Sequence, residues 1–465
     1  MVCSRTGTKT KDLLKILGKL NRLHEKFGDF WWYSFMLFVA LRVGDVINAI
    51  VGLWLVPKYV GQEELGAVLP LTQFATSVGA PITVLVTVFT KFLNKFKTQG
   101  EDGKVKSMLL WFSGIAVIII LITSAVAIAI LPHYFERIRV TSGSLMFLII
   151  AAGLITTIQP VFNNALQGLK KFNAITLNSL LAAPVRLVVM LVAMPFRALS
   201  GYMVGQIVPQ LMSIGIACLS MRKHVHRDIK AVPFWKTDGK DILRYASLVA
   251  IGPLVAAFTA PVTYMVIRQR MTEMDSAAYY MISRFAELAT FAGATLAFVM
   301  FPLAAEAQTR GKSSLKLLRD MSIGTTIFGL AATAILYLFG RQIFEFIPTC
   351  RPYVDYVPDM ALMALTLTVG IIWTNYCNHE AACNRFWYLT YGELLAVLQA
   401  AFLICFTGYT FFDGILPASF VSWMGSLRIS NLHNFLIALL LFNVAKVFAA
   451  ALDITIREVC FKRHR

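Results

Sequence analysis

Long apolar runs separated by short polar segments dominate this chain. The run MLLWFSGIAVIIILITSAVAIAIL, residues 108–131, holds 24 residues and no charged side chain. A bilayer core is about 30 Å thick and needs about 20 such residues in a helix. The pattern predicts twelve membrane spans, at residues 32–56, 65–90, 108–131, 144–166, 174–195, 198–220, 242–266, 277–304, 317–340, 355–377, 387–410 and 431–455.

The first 30 residues follow a different pattern. Leu13, Leu17 and Leu20 recur at helical spacing between lysines such as Lys15 and Lys19. This pattern favours a basic amphipathic helix lying on an anionic cytoplasmic membrane surface, with a flexible basic leader as the alternative. The segment lacks the apolar core of a cleavable signal.

The predicted spans divide into six before and six after the segment 222–240. Traces of a repeat connect the two sets: KKFNAITLNSLL at 170–181 is similar to NRFWYLTYGELL at 384–395, and FKTQGEDGKVKSMLL to AQTRGKSSLKLLRDM. Six spans per half predict a parallel repeat around a central cavity. We therefore expect an all-α integral membrane protein of about 12 transmembrane helices in two pseudo-symmetric six-helix bundles, with boundaries at 1–30 (N-terminal segment), 31–221 (first bundle), 222–240 (linker), 241–456 (second bundle) and 457–465 (basic tail).

Composition supports this class. Hydrophobic residues make up 57% of the 465-residue chain and charged residues 15%, with a mean hydropathy of +0.67; soluble domains carry about 25% charged residues. The net charge of +18 does not indicate nucleic-acid binding, because Lys and Arg lie mostly in the segments between spans and are concentrated on one side of the membrane. With both termini placed in the cytoplasm, 30 Lys and Arg face inward and nine face outward, as the positive-inside rule expects.

Cysteine usage predicts neither a disulfide framework nor a metal site. The seven cysteines are scattered along the chain. Cys377, His379 and Cys383 in YCNHEAAC resemble metal ligands, but structural sites usually have four ligands in tighter pairs. The sequence contains no P-loop for ATP. We expect no metal and no cofactor.

Charged residues deep in predicted spans carry the candidate chemistry. Arg42 with Asp45, Arg186, and Arg284 with Glu287 all lie well inside apolar runs. A charge at the bilayer centre costs about 2.5–3.5 kcal/mol on insertion scales, so such residues face a bundle interior or a wet cavity. Two interpretations stay open: ion pairs that hold the bundles together, or a cationic cavity for an anionic, phosphate-bearing substrate.

Two further sets of polar residues follow from the same argument. Asn48 continues the helical face of Arg42 and Asp45 and is assigned to the substrate cavity. Asp45 and Glu393 are candidates for coupling to Na⁺ or H⁺. Other polar groups within spans, including Gln159, Asn163 and Gln210, serve either as contacts between helices or as ligands for hydroxyl groups.

Several segments in order resemble the multidrug/oligosaccharidyl-lipid/polysaccharide exporter superfamily over nearly the whole chain after residue 30. They are LRVGDVINAIVGLWLVPKYVGQEELGAV with its Gly61–Gly66 turn, ALQGLKKFNAITLNSLL, and ISRFAELATFAGATLAFVMFPLAAEAQTRG. The last two resemble oligosaccharide flippases of that superfamily. The resemblance implies a MATE-like fold.

Within the superfamily, SRFAEL is similar to the Arg–x–x–Glu motif of lipid II flippases, which implies a place in the substrate cavity for Arg284 and Glu287. Arg42 resembles an arginine in their first span. This chain has Ile47 and Asn48 where a second cavity arginine would follow, which argues against lipid II itself.

The resemblance implies a flippase, not an enzyme, that moves a polyprenyl-pyrophosphate-linked oligosaccharide across the bacterial inner membrane for surface polysaccharide or lipopolysaccharide synthesis. Its expected partners are this lipid-linked substrate, membrane lipids and glycan-assembly proteins. A MATE-type multidrug or cation antiporter is the first alternative, although three buried arginines would repel cations. A glycosyltransferase or polymerase is the second alternative, and the longest external loop, 411–430, has one acidic residue, Asp413, for such catalysis.

Overall fold

The structure, a computed structural model, describes residues 39–463 apart from 141–142, 170, 223–229, 310–313, 384, 407–428 and 430. The predicted amphipathic segment 1–30 and most of the loop 411–430 lie outside the described residues. All secondary-structure elements assigned within the described part are helices. In chain order the long helices are α1 Val39–Tyr59, α2 Gln62–Val78, α3 Ala80–Thr98, α4 Asp102–Arg137, α5 Gly143–Gly168, α6 Phe172–Ala193, α7 Ala198–Met221, α8 Trp235–Arg270, α9 Glu273–Thr309, α10 Leu315–Phe346, α11 Val357–Ala382, α12 Trp387–Phe406 and α13 Leu432–Arg463.

Most of these helices are suited to cross a membrane. In the described part of the chain, ten are long and apolar enough, or eleven if the bent pair α2 and α3 counts as one span. The 37-residue helix α9 contains the further predicted span 277–304. The expectation of an all-α, multi-pass membrane protein is confirmed.

Several helices are much longer than the bilayer core. Helices α4 and α8 each have 36 residues. At about 1.5 Å per residue they are about 54 Å long, against a hydrocarbon core of about 30 Å. Their ends therefore extend into the aqueous phase. The last helix likewise continues to Arg463, so the segment predicted as a basic tail is largely helical.

Prolines often kink helices, so Pro70 and Pro81 in the second predicted span and Pro253 and Pro261 in the seventh predict kinks. In the described part of the chain, one bent pair of helices is found. Helices α2 and α3 meet at Gly79 with a bend of 42°, and Pro81 stands in the first turn of α3. Proline fits there because its missing N–H is one that a helix start leaves unpaired anyway. Pro70 lies inside α2, and α8 runs as one helix through Pro253 and Pro261.

Helices pack both within and between the predicted halves, since α8 packs against α2 and α3 and α9 packs against α2. Helices α5, α6 and α7 pack together in the first half, and α9, α10, α11 and α13 in the second. In α4, the most apolar helix, only 17% of the most apolar 18-residue segment is buried. In the segment Arg351–Ala382, which contains α11, the corresponding share is 44%. Helix α4 is therefore peripheral and α11 central. The exact domain boundaries stay a prediction.

A π-helical turn in α1, Val51–Leu55, connects the halves. Two carbonyl groups of this turn accept hydrogen bonds from residues of the second half. Tyr280 donates a hydrogen bond to the Gly52 carbonyl at 3.1 Å, and Thr349 donates one to the Leu53 carbonyl at 2.9 Å. Single π-turns of this kind often occur at functional sites.

A buried polar network connects the ends of α11 and α13 predicted to face the cytoplasm. Glu380, 2% exposed, accepts a hydrogen bond from Arg457 at 2.6 Å and lies 3.0 Å from His379 Nδ1. The other ring nitrogen of His379 lies 2.7 Å from the Ser314 hydroxyl. Both nitrogens of the histidine singled out in YCNHEAAC are thus engaged in hydrogen bonds within the protein.

We expect Glu380→Gln to destabilise the protein by about 1–3 kcal/mol, because the buried partners of the carboxylate lose a charged acceptor. A thermal melt of the purified protein would measure the change. Glu345→Ala is the matched control, because its side chain is 54% exposed and pairs with the exposed Arg341. Surface pairs contribute about 0–1 kcal/mol. Equal melting temperatures for the two variants would contradict the assignment of a structural role to the network.

Candidate functional site

A cavity of about 260 Å³ lies where the two halves meet, and we call it the junction cavity. Helices α1, α6 and α7 of the first half and α9 of the second half form its walls. Its polar lining is Asp45, Asn48, Arg186, Tyr202, Gln206, Tyr280, Arg284 and Glu287. All predicted substrate-binding residues except Arg42 therefore line this one cavity.

Arg284 and Glu287 form an ion pair on α9 within the cavity wall. Arg284 Nη1 lies 2.7 Å from Glu287 Oε2, and the two side chains are 32% and 50% exposed. A Cβ on Gly52 would come within 3.3 Å of Arg284 Cδ, so the glycine lets α1 approach the arginine closely. Arg284 Nε is buried and has no hydrogen-bond partner among the described residues. The pair is satisfied internally, yet it keeps one donor available.

Arg186 has a different environment. Its Nη1 donates a hydrogen bond of 3.0 Å to the side-chain oxygen of Asn48, which is neutral. Within the described chain it forms no ion pair with a carboxylate, and its Nε is buried without a partner. A charge of this kind inside a membrane is expensive unless a ligand or a wet cavity compensates it.

Arg42 and Asp45 form the third set of charges. Their side chains lie 3.2 Å apart, and the Arg42 guanidinium lies 3.6 Å from the centroid of the Phe291 ring. Phe291 and Asp45 line the junction cavity, whereas Arg42 itself does not. The sequence assigned Arg42 to the substrate cavity, and the structure stacks its guanidinium on a ring that lines the junction cavity. This cation–π contact and the ion pair account for that position.

A second cavity, of about 330 Å³, lies within the first half, and we call it the amide cavity. It shares Asp45, Asn48 and Arg186 with the junction cavity, so the two adjoin. Its remaining polar lining consists of neutral amide and hydroxyl side chains: Thr156, Gln159, Asn163, Asn178, Ser179, Gln210 and Ser213. It offers no carboxylate beyond Asp45 in its lining.

Glu393 lies away from both cavities. It belongs to α12, and its Oε1 would lie 3.3 Å from a Cβ on Gly252 of α8. The nearby Lys446 donates a hydrogen bond of 3.4 Å to Gln399. The structure therefore separates the two candidate ion-coupling residues, Asp45 at the cavities and Glu393 in the second half.

Sequence reasoning missed some lining residues. Tyr280 stands in the opening of the YYMISRFAEL stretch, yet nothing in the sequence indicates that its hydroxyl group bonds to α1. Asn178 and Ser213 are polar residues within apolar runs, and this pattern could have marked them as candidates for the interior of the helix bundle. The contact between their helices was not visible in the sequence.

No protein-family model matches the chain, and no curated protein matches by sequence. Solved structures do match. A Vibrio cholerae MATE transporter, in an aspartate-to-asparagine variant, aligns with a TM-score of 0.63 and 12% identity over 91% of this chain and 97% of its own. The fold is that of MATE transporters.

Two other structures with the MATE fold support this assignment. An inward-facing multidrug-resistance MATE transporter aligns with a TM-score of 0.57 and 13% identity, over 87% of this chain and 98% of its own. A transporter of the MOP superfamily from Pyrococcus furiosus is described as having a binding pocket of reverse polarity. It aligns with a TM-score of 0.55 and 14% identity, over 92% of this chain and 97% of its own. At such identities the likeness establishes the fold, and substrate must be argued from the cavity.

Proposed function

We propose that this chain is a flippase that moves a polyprenyl-pyrophosphate-linked oligosaccharide across the membrane. The observation that carries the proposal is the unpaired charge of Arg186 in the cavity between the halves. Arg42 and Arg284 each have a carboxylate partner, but Arg186 has only the neutral Asn48. The set of charges around the cavity is therefore cationic by one unit, and an anionic group would complete it.

The donor geometry favours a phosphate-bearing ligand. Arginine stays charged when desolvated, and its planar fork matches phosphate oxygens. The Nε atoms of Arg186 and Arg284 are buried donors without protein acceptors in the described chain. They come from opposite halves, so one diphosphate can be held from both sides of the junction.

The mechanism we propose is alternating access. The pyrophosphate binds at the junction cavity, the polyprenyl tail stays in the bilayer, and the halves rock to expose the glycan on the other face. No covalent bond is made or broken. Asp45, 40% exposed at the cavity, and Glu393 remain candidates for coupling to Na⁺ or H⁺. The proposed setting is a bacterial inner membrane with cytoplasmic termini, working with glycan-assembly proteins.

Antiport of organic cations is the second candidate function. The fold fits it equally well, since two of the matched structures are MATE transporters. Asp45 and Glu287, 40% and 50% exposed, offer carboxylates to a cation. The superfamily member with reverse polarity shows that pocket charge varies on this fold. The cationic excess at Arg186 favours an anion here.

Complementation separates the two functions. A strain lacking its oligosaccharide flippase and a strain lacking its multidrug exporters would each receive the intact chain. We expect restored surface glycan in the first strain and no gain in resistance to cationic dyes in the second. Dye resistance without glycan display would overturn the proposal in favour of cation antiport.

We expect Arg284→Lys to lower the transport rate several-fold while leaving membrane insertion unchanged. Lysine keeps the charge and the partner Glu287 but loses the planar fork that donates two parallel hydrogen bonds. Surface-glycan display per molecule of protein would measure the effect. Arg341→Lys is the control, because Arg341 is 75% exposed at a helix end away from the cavity. Full activity of the Arg284 variant would show that charge alone suffices there.

A further inference from the structure

The amide cavity has a polar lining that the binding of a pyrophosphate does not use. It adjoins the junction cavity at Arg186 but extends into the first half between α1, α5, α6 and α7. Its volume of about 330 Å³ is at the lower end of the range of about 300–1,000 Å³ for ligand pockets. The space suits one ring-sized group and not a whole oligosaccharide.

Unsatisfied acceptors point to the chemistry of the occupant. Asn178 is 4% exposed, and its Nδ2 donates to the Asn163 side-chain oxygen at 3.2 Å. The Oδ1 of Asn178 and the Oε1 of Gln210 are buried and have no hydrogen-bond partner among the described residues. A buried acceptor without a donor is unfavourable, so a ligand group that donates hydrogen bonds would satisfy these two oxygens in place of water.

Charge narrows the choice of donor. A phosphate oxygen cannot donate and therefore does not satisfy these acceptors. An organic cation can donate, but it would lie beside Arg186, and Asp45 is already paired with Arg42 at 3.2 Å. A neutral hydroxyl or amide group both donates and accepts hydrogen bonds and is not repelled by Arg186. The amide and hydroxyl side chains of the lining also both donate and accept.

We infer that the amide cavity is a sugar subsite, which holds the monosaccharide directly attached to the pyrophosphate. This inference rests on the proposed function and extends it. Arg186 lines both cavities, so a phosphate held at the junction places the next sugar at the opening of the amide cavity. The subsite would give the transporter selectivity for the first sugar, whatever glycan follows.

Binding measurements with two probes test the inference. The purified full chain would be titrated with polyprenyl pyrophosphate and with the same lipid carrying one N-acetylhexosamine. Two added neutral hydrogen bonds correspond to about tenfold in affinity. We expect the sugar to tighten binding about tenfold in the unmodified chain. Equal affinity for the two probes would overturn the sugar subsite and leave the proposed function intact, whereas failure to bind either probe would overturn both.

Gln210→Met tests the site itself. The side chains are similar in size, and Gln210 makes no hydrogen bond in the described chain, so the variant is expected to fold as well as the unmodified protein. It should lose most of the tenfold gain from the sugar and keep its affinity for polyprenyl pyrophosphate. Asn178→Ala should do the same, with a cost in stability from the lost bond to Asn163.

Gln206→Met is the matched control, because Gln206 lies one turn from Gln210 but lines the junction cavity. It should change the affinity for both probes by the same factor. A selective loss of sugar discrimination in the Gln206 variant, with none in the Gln210 variant, would overturn the assignment. The assignment would also be overturned if an organic cation bound the unmodified chain and its binding were lost in the Gln210→Met variant.

Discussion

Replacing Arg186 with alanine is expected to remove at least nine-tenths of transport while leaving the protein as stable as before or more stable. A hydrogen bond to a charged group contributes about 1.5–3 kcal/mol, so losing one to the substrate lowers affinity about tenfold or more. Stability should not fall, because Arg186 has no carboxylate partner in the described chain and its desolvation is uncompensated. Surface-glycan display and a thermal melt would be measured together.

A structural role for Arg186 predicts the opposite pattern. If the arginine served only to hold α6 against α1 through Asn48, Arg186→Ala would lower the melting temperature and transport in parallel. Asn48→Ala is the control for that contact, since it removes the bond to Arg186 and keeps the charge. We expect a smaller loss of transport for Asn48→Ala. Unchanged transport in the Arg186 variant would exclude the arginine from the substrate site.

Arg284 is expected to respond differently from Arg186, because it has a carboxylate partner. Arg284→Ala leaves Glu287 unpaired within the cavity, so it should lower both stability and transport. The double variant Arg284→Ala with Glu287→Ala should recover stability but not transport. Arg186 and Arg284, which look alike in the sequence, are thus expected to respond in different ways, according to the partners that the structure gives them.

Sequence alone predicted the all-α membrane fold, and it singled out charged residues for physical reasons. Charges such as Arg186 and Arg284 stand out because their neighbours are apolar for several turns. Helical spacing also paired Arg284 with Glu287 correctly, since residues three apart share a face. Of the prolines expected to kink helices, Pro81 lies beside the bend between α2 and α3, whereas Pro253 and Pro261 lie within the continuous helix α8.

Contacts between distant helices were beyond this reasoning. The hydrogen bond from Arg186 to Asn48 joins residues 138 positions apart, and no local pattern announces it. The stacking of Arg42 on Phe291 depends on how α1 meets α9, which no local sequence pattern shows. The amide cavity is made by three helices of the first half besides α1. Its polar residues could be noted individually but not brought together.

Replacing Gly66 with alanine is expected to stop transport by keeping the halves apart at the side predicted to face outward. A Cβ at Gly66 would lie 2.4 Å from Ser276 Oγ, 2.7 Å from its Cβ and 3.1 Å from its backbone carbonyl carbon. The hydroxyl can rotate away, but the Cβ and the backbone move only with α9. Overpacking of this kind costs about 1–3 kcal/mol. At about 1.4 kcal/mol per tenfold, the closed arrangement would lose about five- to more than a hundredfold in population.

Hydrogen–deuterium exchange would locate the change. We expect faster exchange at the facing ends of α2 and α9, around Gly66 and Ser276, because these contacts loosen while the rest of each half stays folded. Gly61→Ala is the control, since a Cβ there would meet nothing within 4 Å. It should leave exchange and transport unchanged.

The double variant Gly66→Ala with Ser276→Gly decides between a steric block and a general defect. Removing the Ser276 side chain eliminates the two closest contacts, so the backbone carbon at 3.1 Å becomes the nearest atom. The halves should then close again, and transport should recover substantially. Ser276→Gly alone loses only the long hydrogen bond to the Gly66 carbonyl, at 3.4 Å, and should be nearly active. If the double variant stayed inactive while folded, closure at Gly66 would not be the step that Gly66→Ala blocks. Recovery would show that transport requires the halves to meet here, as alternating access demands of one side of the membrane in each cycle.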